Sequence, residues 1–449
     1  MQVKGGIRSA LASTLLLFSA ASLADAIDDY VVAEMSKQQI AGVGLAVIKD
    51  GLPIKVQTYG VSNLELNTPV KPVTVFKIGS VSKQFIATAV LLLEDEAKLR
   101  LDDRITKYLD GAPREWDAIT VSQLLSHTSG LPRESPGFDA AKVQSEADVI
   151  KAAYGVALRF QPGVKFEYCN LGYFILAEII RKAGGTPWPD FVQRRIFEPL
   201  GMQSTRLASD TEIISERASG YALVDGRRQH SATLVAIRPS GAFASSIEDL
   251  LKWNAALDAR RLLKAATWAR AWTKAELNDG VKAPYGLGWY IEEMGPYQVV
   301  HHGGAIYGFT AQYSRFDEQR LRVIVLANMD AARTDLMALR IAETFLPGVL
   351  PRRKPMSLSA EALARFSGKF SYPGIGVATT SVEGAALRWH LPAAGAPVRY
   401  IPESTNAFYS EDDPRQLLSF STGDNGQLIA IITNSGREIA RGAKVAADQ

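Results

Sequence analysis

Phe76-Lys77-Ile78-Gly79-Ser80-Val81-Ser82-Lys83-Gln84-Phe85 decides how this chain is read. The stretch runs from a loop into a helix, with Ser80 at the helix start. From Gln84 to Leu93 the residues are mostly apolar and include no helix breaker, which predicts a helix buried on most sides. Unpaired N–H groups gather at such a helix start, at the positive end of the dipole. Lys83 follows Ser80 by three residues and shares its face. A hydroxyl and an amine pressed together there serve packing poorly but suit nucleophilic catalysis. The amine can take the hydroxyl proton or stabilise the alkoxide, and the helix N–H groups can meet an oxyanion. The plain structural alternative is a serine that caps the helix. S-x-x-K recurs by chance, so the rest of the chain must supply the other groups.

On the N-terminal side, Asp28 to Gln39 reads as an amphipathic helix. Gly42–Ile48 and Ile54–Tyr59, joined at Lys49-Asp50-Gly51, read as a β-hairpin. The Ser80 helix is predicted to end near Leu101. On the C-terminal side, Ile119–Ser126 is a short helix closed by His127-Thr128-Ser129-Gly130-Leu131-Pro132. Leu171–Ala183 and Pro189–Phe197 are further helices. Then the period changes. Leu287–Ile291, Gln298–His301, Thr310–Phe316 and Val323–Ala327 are apolar runs of strand length, and Thr334–Phe345 closes as a helix. The fold class is α/β (α+β): an antiparallel sheet flanked by helices, joining first and last strands, with a helical region inserted between them.

Residues 27–350 form this main domain. Residues 351–358 lie in a Pro-rich basic linker containing Arg352-Arg353-Lys354. Residues 359–449 shift to short strand signals, at Leu387–His390, Leu417–Phe420 and Leu428–Ile432. Gly423-Asp424-Asn425-Gly426 makes a turn between the last two, and the segment reads as a small β-rich domain.

The chain has 449 residues, more than one ordinary core, with 50 basic and 47 acidic side chains. That balance, without a basic run, excludes a nucleic-acid partner. Residues 1–24 read as a signal peptide. Lys4 and Arg8 give a positive start, Ala10–Leu23 an apolar run too short to span a bilayer comfortably, and Ala24 or Ala26 a cleavage site. The expected location is periplasmic or secreted, with no stable membrane span after cleavage. Cys169 is the one cysteine, so no internal disulfide is possible.

Three stretches fit together: Ser80-Val81-Ser82-Lys83, Tyr168-Cys169-Asn170 and His302-Gly303-Gly304. With the His127–Pro132 loop and Gly308-Phe309, they resemble the serine β-lactamase and penicillin-binding-protein superfamily. The similarity is to its class C-like branch, which includes esterases and D-aminopeptidases, and it runs from Asp28 to about Phe345. The resemblance implies a β-lactamase/transpeptidase-like fold and an acyl-enzyme on Ser80. It places Lys83 against Ser80, with its proton affinity lowered by burial. It gives Tyr168 a phenolate-like character beside a positive Lys83, and either residue could take the Ser80 proton. Asn170 would bond Lys83 and the substrate. The backbone N–H groups of Ser80 and Ala305 would form the oxyanion hole. His302, Gly303 and Gly304 would border the substrate, the glycines keeping the strand edge open.

Each residue also has an ordinary structural use: Tyr168 as packing, Asn170 as an N-cap, His127 as part of a turn. Two departures from the family pattern stand out. Cys169 occupies a position where many relatives carry Ser. His302 stands where many β-lactamases carry a lysine that holds a substrate carboxylate, and Arg238 is a cation that could take its place.

The function expected is a secreted serine hydrolase acting on esters or small amides. The alternatives are a β-lactamase or D,D-peptidase or D-aminopeptidase on peptidoglycan-type substrates, and a catalytically silent envelope binding protein. The partner is a small-molecule ester, amide or peptide. No cofactor or metal is expected, since no H-E-x-x-H or comparable ligand cluster occurs. Nothing in the sequence specifies an oligomeric state.

Overall fold

The computed structural model describes residues 25–232, 236–392, 397–423 and 426–445. The expected leader, residues 1–24, lies outside the described residues, as do Asp424 and Asn425 of the expected turn. No described helix is long and apolar enough to cross a membrane. The chain divides into two compact units. One holds the residues up to Glu293 together with Tyr297–Thr344; the other holds Met294–Pro296 and the chain from Phe345 onward.

The first unit opens with helix α1 (residues 25–37). Its sheet contains β1 (Gly42–Lys49), β2 (Leu52–Asn63), β3 (Thr68–Pro69), β4 (Tyr290–Met294), β5 (Tyr297–Ile306), β6 (Phe309–Phe316) and β7 (Leu321–Ala327), in the order β3-β2-β1-β7-β6-β5-β4. β1 pairs antiparallel with β7, Val43 opposite Ala327 and Lys49 opposite Leu321, so the first and last strands meet at the sheet centre. Both are buried on both faces, which is why Val-, Ile- and Leu-rich runs replace a strict alternation there. β1 turns into β2 through Asp50 (φ 55°) and Gly51 (φ 81°), the two left-handed positions a tight hairpin needs.

Between β3 and β4 lies the inserted helical region. Helix α2 (Lys83–Asp95) and helix α3 (Leu171–Gly184) form its centre, and the core spreads from them to the sheet. Phe85 of α2 is ringed by Phe197, Phe243 and Trp253 at centroid distances of 5.0, 5.8 and 4.8 Å. Helix α4 (Thr334–Glu343) closes the unit.

The strands expected over Gln298–His301 and Ile54–Tyr59 run on to Ile306 and Asn63, and two other boundaries draw in. α2 stops at Asp95 rather than near Leu101, because Ala97 takes φ 58° and Lys98 N–H bonds back to the Leu93 carbonyl at 2.9 Å, a Schellman-type stop. The strand expected over Leu287–Ile291 begins only at Tyr290. Gly288 (φ 87°) turns the backbone there, and a Cβ on it would lie 2.5 Å from Ala87 of α2, so this segment packs against α2 instead of joining the sheet.

The second unit contains a closed barrel of eight strands running from Gly368–Tyr372 to Arg437–Lys444, all in sequence order. First and last strands meet at Phe370 opposite Lys444, which removes the open edges. Phe366, Phe370, Phe408 and Phe420 fill it, with Phe366 stacked on Phe420 at 4.4 Å.

Candidate active site

Ser80 sits in a 3-10 turn, Gly79–Ser82, which feeds directly into α2. The preceding Phe76–Lys77 pairs with Phe243–Ser245, and Ser82 Oγ accepts the Phe243 N–H at 3.0 Å, so the 239–243 turn is clipped beside Ser80. Gly79 takes φ 48°, and a Cβ there would lie 2.9 Å from the Ala305 nitrogen. Gly304 is equally constrained, its missing Cβ falling 2.0 Å from the Ile78 carbonyl oxygen. Two glycines thus let β5 run against the Ser80 turn.

Lys83 is fully buried in the first turn of α2. Its Nζ lies 3.1 Å from Ser80 Oγ, 3.0 Å from Asn170 Oδ1 and 2.7 Å from the Ser240 carbonyl oxygen. Burial, then the Arg238 charge, hold its pKa well below the usual lysine range, with Glu134 opposing. A neutral amine has two N–H groups and one lone pair. As an ammonium, Lys83 gives its three N–H groups to Asn170 Oδ1, the Ser240 carbonyl and Ser80 Oγ; once unprotonated, the two carbonyl acceptors keep its N–H groups and the lone pair is left for the Ser80 hydroxyl.

Tyr168 is half-buried. Its ring lies 4.8 Å from Lys83 Nζ and 4.2 Å from the His127 ring, and runs nearly parallel to Tyr290. The expected phenolate-like character is corrected here. Burial, reinforced by Tyr290, raises its pKa well above the usual phenol value, with Ser80 opposing, and the Lys83 beside it has its own pKa held well below the usual lysine range. Tyr168 therefore rests as a neutral phenol.

Asn170 begins α3 but makes no side-chain cap. Its Nδ2 donates to Glu134 Oε1 at 2.6 Å, which fixes the amide so that Oδ1 faces Lys83. Its backbone N–H bonds the Arg133 carbonyl at 2.8 Å. Cys169 is buried, its thiol pushed up to about 12 by burial. His127 Nδ1 accepts the Cys169 N–H at 3.0 Å, which ties the His127–Pro132 loop to the Tyr168 segment.

His302 departs from its expected place against the substrate. It is buried, its Nδ1 bonds the Gly303 carbonyl at 2.6 Å, and its Nε2 lies 2.8 Å from the Tyr285 hydroxyl. Both ring nitrogens are occupied, and burial, with the nearby Lys83, drives its pKa well below 6.5. It is a neutral core histidine. A Cβ on Gly303 would meet Gln312 Oε1 at 2.9 Å, so its role is closeness of β5 to β6. Ala305 does face the cleft at Ser80, a cavity of 360 Å³.

Four charged residues of that cleft had no place in the sequence reading of the site: Arg133, Glu134, Asp330 and, apart from its mention as a spare cation, Arg238. Arg238 pairs with Glu134, and Arg133 Cζ stands 5.2 Å from the Tyr168 ring centroid. Arg133 and Glu134 directly follow the His127–Pro132 loop, the one signal that could have found them.

A half-exposed serine beside a buried amine, under an antiparallel sheet edge, defines a β-lactamase/transpeptidase-like serine hydrolase. Residues 27–344 match the family described as Beta-lactamase, and the chain belongs to that family. Penicillin-binding protein 4* of Bacillus subtilis (strain 168) is 27% identical over 90% of this chain and 94% of its own length. The D-aminopeptidase of Brucella anthropi is 31% identical over 65% of this chain; the match spans 57% of that relative. The octameric penicillin-binding protein homologue from Pyrococcus abyssi shares the fold, with a TM-score of 0.67 at 23% identity over 94% of this chain and 99% of that one.

Gly304→Ala should remove reactivity at Ser80, because any Cβ there displaces the Ser80 turn or β5. Intact-mass labelling with a fluorophosphonate should fall to background while circular dichroism keeps its helical signal. Wild-type labelling in this variant would show that β5 need not touch the turn.

Proposed function

We propose that this chain hydrolyses esters or small amides through an acyl-enzyme on Ser80. The observation that carries the reading is Lys83: fully buried, with Nζ 3.1 Å from Ser80 Oγ and its N–H groups taken by two carbonyl oxygens. Lys83 accepts the Ser80 proton as Oγ attacks the substrate carbonyl carbon. Tyr168, a neutral phenol whose ring lies 4.8 Å from Lys83 Nζ, then passes a proton to the leaving oxygen or nitrogen and recovers one from Lys83. The backbone N–H groups of Ser80 and Ala305 meet the oxyanion. Water repeats the sequence to release the acid. Asn170 keeps Lys83 aligned and faces the cleft.

Export to the periplasm or medium is part of the proposal, and it rests on residues 1–24 alone. The likeness to D-aminopeptidases favours a second substrate class, amides of D-amino acids.

Ser80→Ala should abolish turnover and fluorophosphonate labelling in a folded protein. Lys83→Ala should cost about a hundredfold or more in kcat/KM. Wild-type rates in a pure Ser80→Ala preparation would end the assignment and favour a binding protein.

The pH profile tests which group is the base. An amine base works only when unprotonated, so kcat/KM is low below the Lys83 pKa and rises through it. The Glu134 carboxylate raises that pKa. Glu134→Gln keeps an acceptor for Asn170 but removes the charge, so the acidic limb should move to lower pH. An unmoved limb would take Lys83 out of the role.

Substrate charge separates the esterase from the β-lactamase. Where a lysine would hold a β-lactam carboxylate, His302 is neutral and turned inward. Losing a charge-assisted hydrogen bond costs about 1.5–3 kcal/mol, or about one to two decades of specificity. The kcat/KM for p-nitrophenyl butyrate should exceed that for nitrocefin; the reverse order would make the protein a β-lactamase.

A further inference from the structure

The cleft at Ser80 has two walls of unlike charge. One carries Arg133, Glu134 and Arg238. Glu134 is already committed to Arg238 and to Asn170 Nδ2. Arg133 is exposed over the Tyr168 ring, and no carboxylate pairs with its guanidinium among the described residues. This wall repels cations.

The other wall is the end of β5, at Ala305 and Ile306, with Tyr307 and Asp330. Sheet register explains how Asp330 reaches it. Ala305 lies opposite Thr310, and Thr310 opposite Ala327, so the three form a row across β5, β6 and β7 about 10 Å wide. Asp330 follows Ala327 by three residues and leaves the sheet at the same end. Its N–H bonds the Tyr221 carbonyl at 3.0 Å, which fixes the backbone there. No basic side chain pairs with the Asp330 carboxylate among the described residues. His302, the one basic residue sequence reading placed on this wall, is neutral and buried. Partial burial holds the Asp330 carboxyl above its usual range, as expected of an acid with no cation beside it.

We propose that Asp330 is a specificity-determining residue that seats a cationic group of the substrate, an ammonium or quaternary ammonium, on the sheet side of Ser80. The inference rests on the Ser80 acyl-enzyme reading and names the substrate class of that same cleft. The guanidinium wall turns the cation away, so one bound orientation is selected. A substrate with a carboxylate in the same position is excluded by Asp330 itself.

Two matched pairs test this on the full chain. The first is acetylcholine against its neutral isostere 3,3-dimethylbutyl acetate, with the cation in the leaving group. The second is D-alanine p-nitroanilide against its N-acetyl derivative, with the cation in the acyl group. In at least one pair the cationic member should have the higher kcat/KM by about tenfold or more. Added salt should shrink that ratio, since the partly exposed charges are screened. Asp330→Asn should reduce the ratio by about tenfold, and Asp330→Glu should keep its sign. The pair that responds tells whether the leaving or the acyl group meets Asp330. A wild-type ratio near one in both pairs overturns the proposal, and so does a ratio unchanged in a folded Asp330→Asn protein. If Asp330→Asn does not fold, the wild-type ratio with its salt dependence, and the Asp330→Glu ratio, decide. Fluorophosphonate labelling of Ser80 separates the two failures: a labelled enzyme without cation preference loses this inference alone, and an unlabelled one loses the hydrolase reading too.

Discussion

An amine without access to water organises the first unit. Taking a charged ammonium out of water costs several kcal/mol, so a buried lysine either finds a counter-ion or gives up its proton. Lys83 has carbonyl and hydroxyl oxygens around it but, among the described residues, no carboxylate in contact. The neighbourhood follows from that choice. α2 must be buried on nearly every side, so Phe85 to Leu93 is Phe, Ile, Ala, Val and Leu apart from Thr88. The rings of Tyr168 and Tyr173 lie within 5.0 Å of Nζ and exclude solvent. Ser240 and Asn170 arrive from distant parts of the chain to satisfy the two N–H groups, each held by a clip of its own: Ser82 to Phe243 for one, Arg133 to Asn170 for the other.

The legible part of the site was the part written locally. Ser80 and Lys83 are one helical turn apart, and Tyr168 and Asn170 sit two residues apart before a helix; such spacings survive in a one-dimensional string. What escaped is what only a long-range approach decides. Glu134 matters because Arg238, about a hundred residues later, folds onto it. Asp330 reaches the cleft through the register of three strands. His302 was found by position, but its environment was not. Tyr285 meets its Nε2, and nothing in the string says whether that nitrogen faces a cleft or a phenol. The charge state of Tyr168 was misread for the same reason, since burial outweighs neighbouring charge only when the depth is known.

The fold shows the same division. Central strands announced themselves as apolar runs, whereas element ends depended on single backbone angles at Ala97 and Gly288. Three strands of the barrel were legible and five were not. Its strands are short and bury only alternate residues, as in Gly376–Glu383, where Ala378 and Thr380 alone are fully buried. A closed meander lets such weak signals suffice, because closure supplies each strand with two partners.

The pairing of β1 with β7 has a temporal meaning as well as a spatial one. Among the described strands β1 is synthesised first, yet its central partner follows the whole helical insertion. Until then β1 has only β2 beside it, and a lone hairpin is marginal in water. The apolar residues Val43, Leu45 and Val47 stay unshielded through most of synthesis, which is the condition under which chains aggregate or recruit chaperones. The same long separation raises contact order and slows folding. The strand that completes the sheet is among the last to arrive, so the sheet cannot close until nearly all of the first unit has been made.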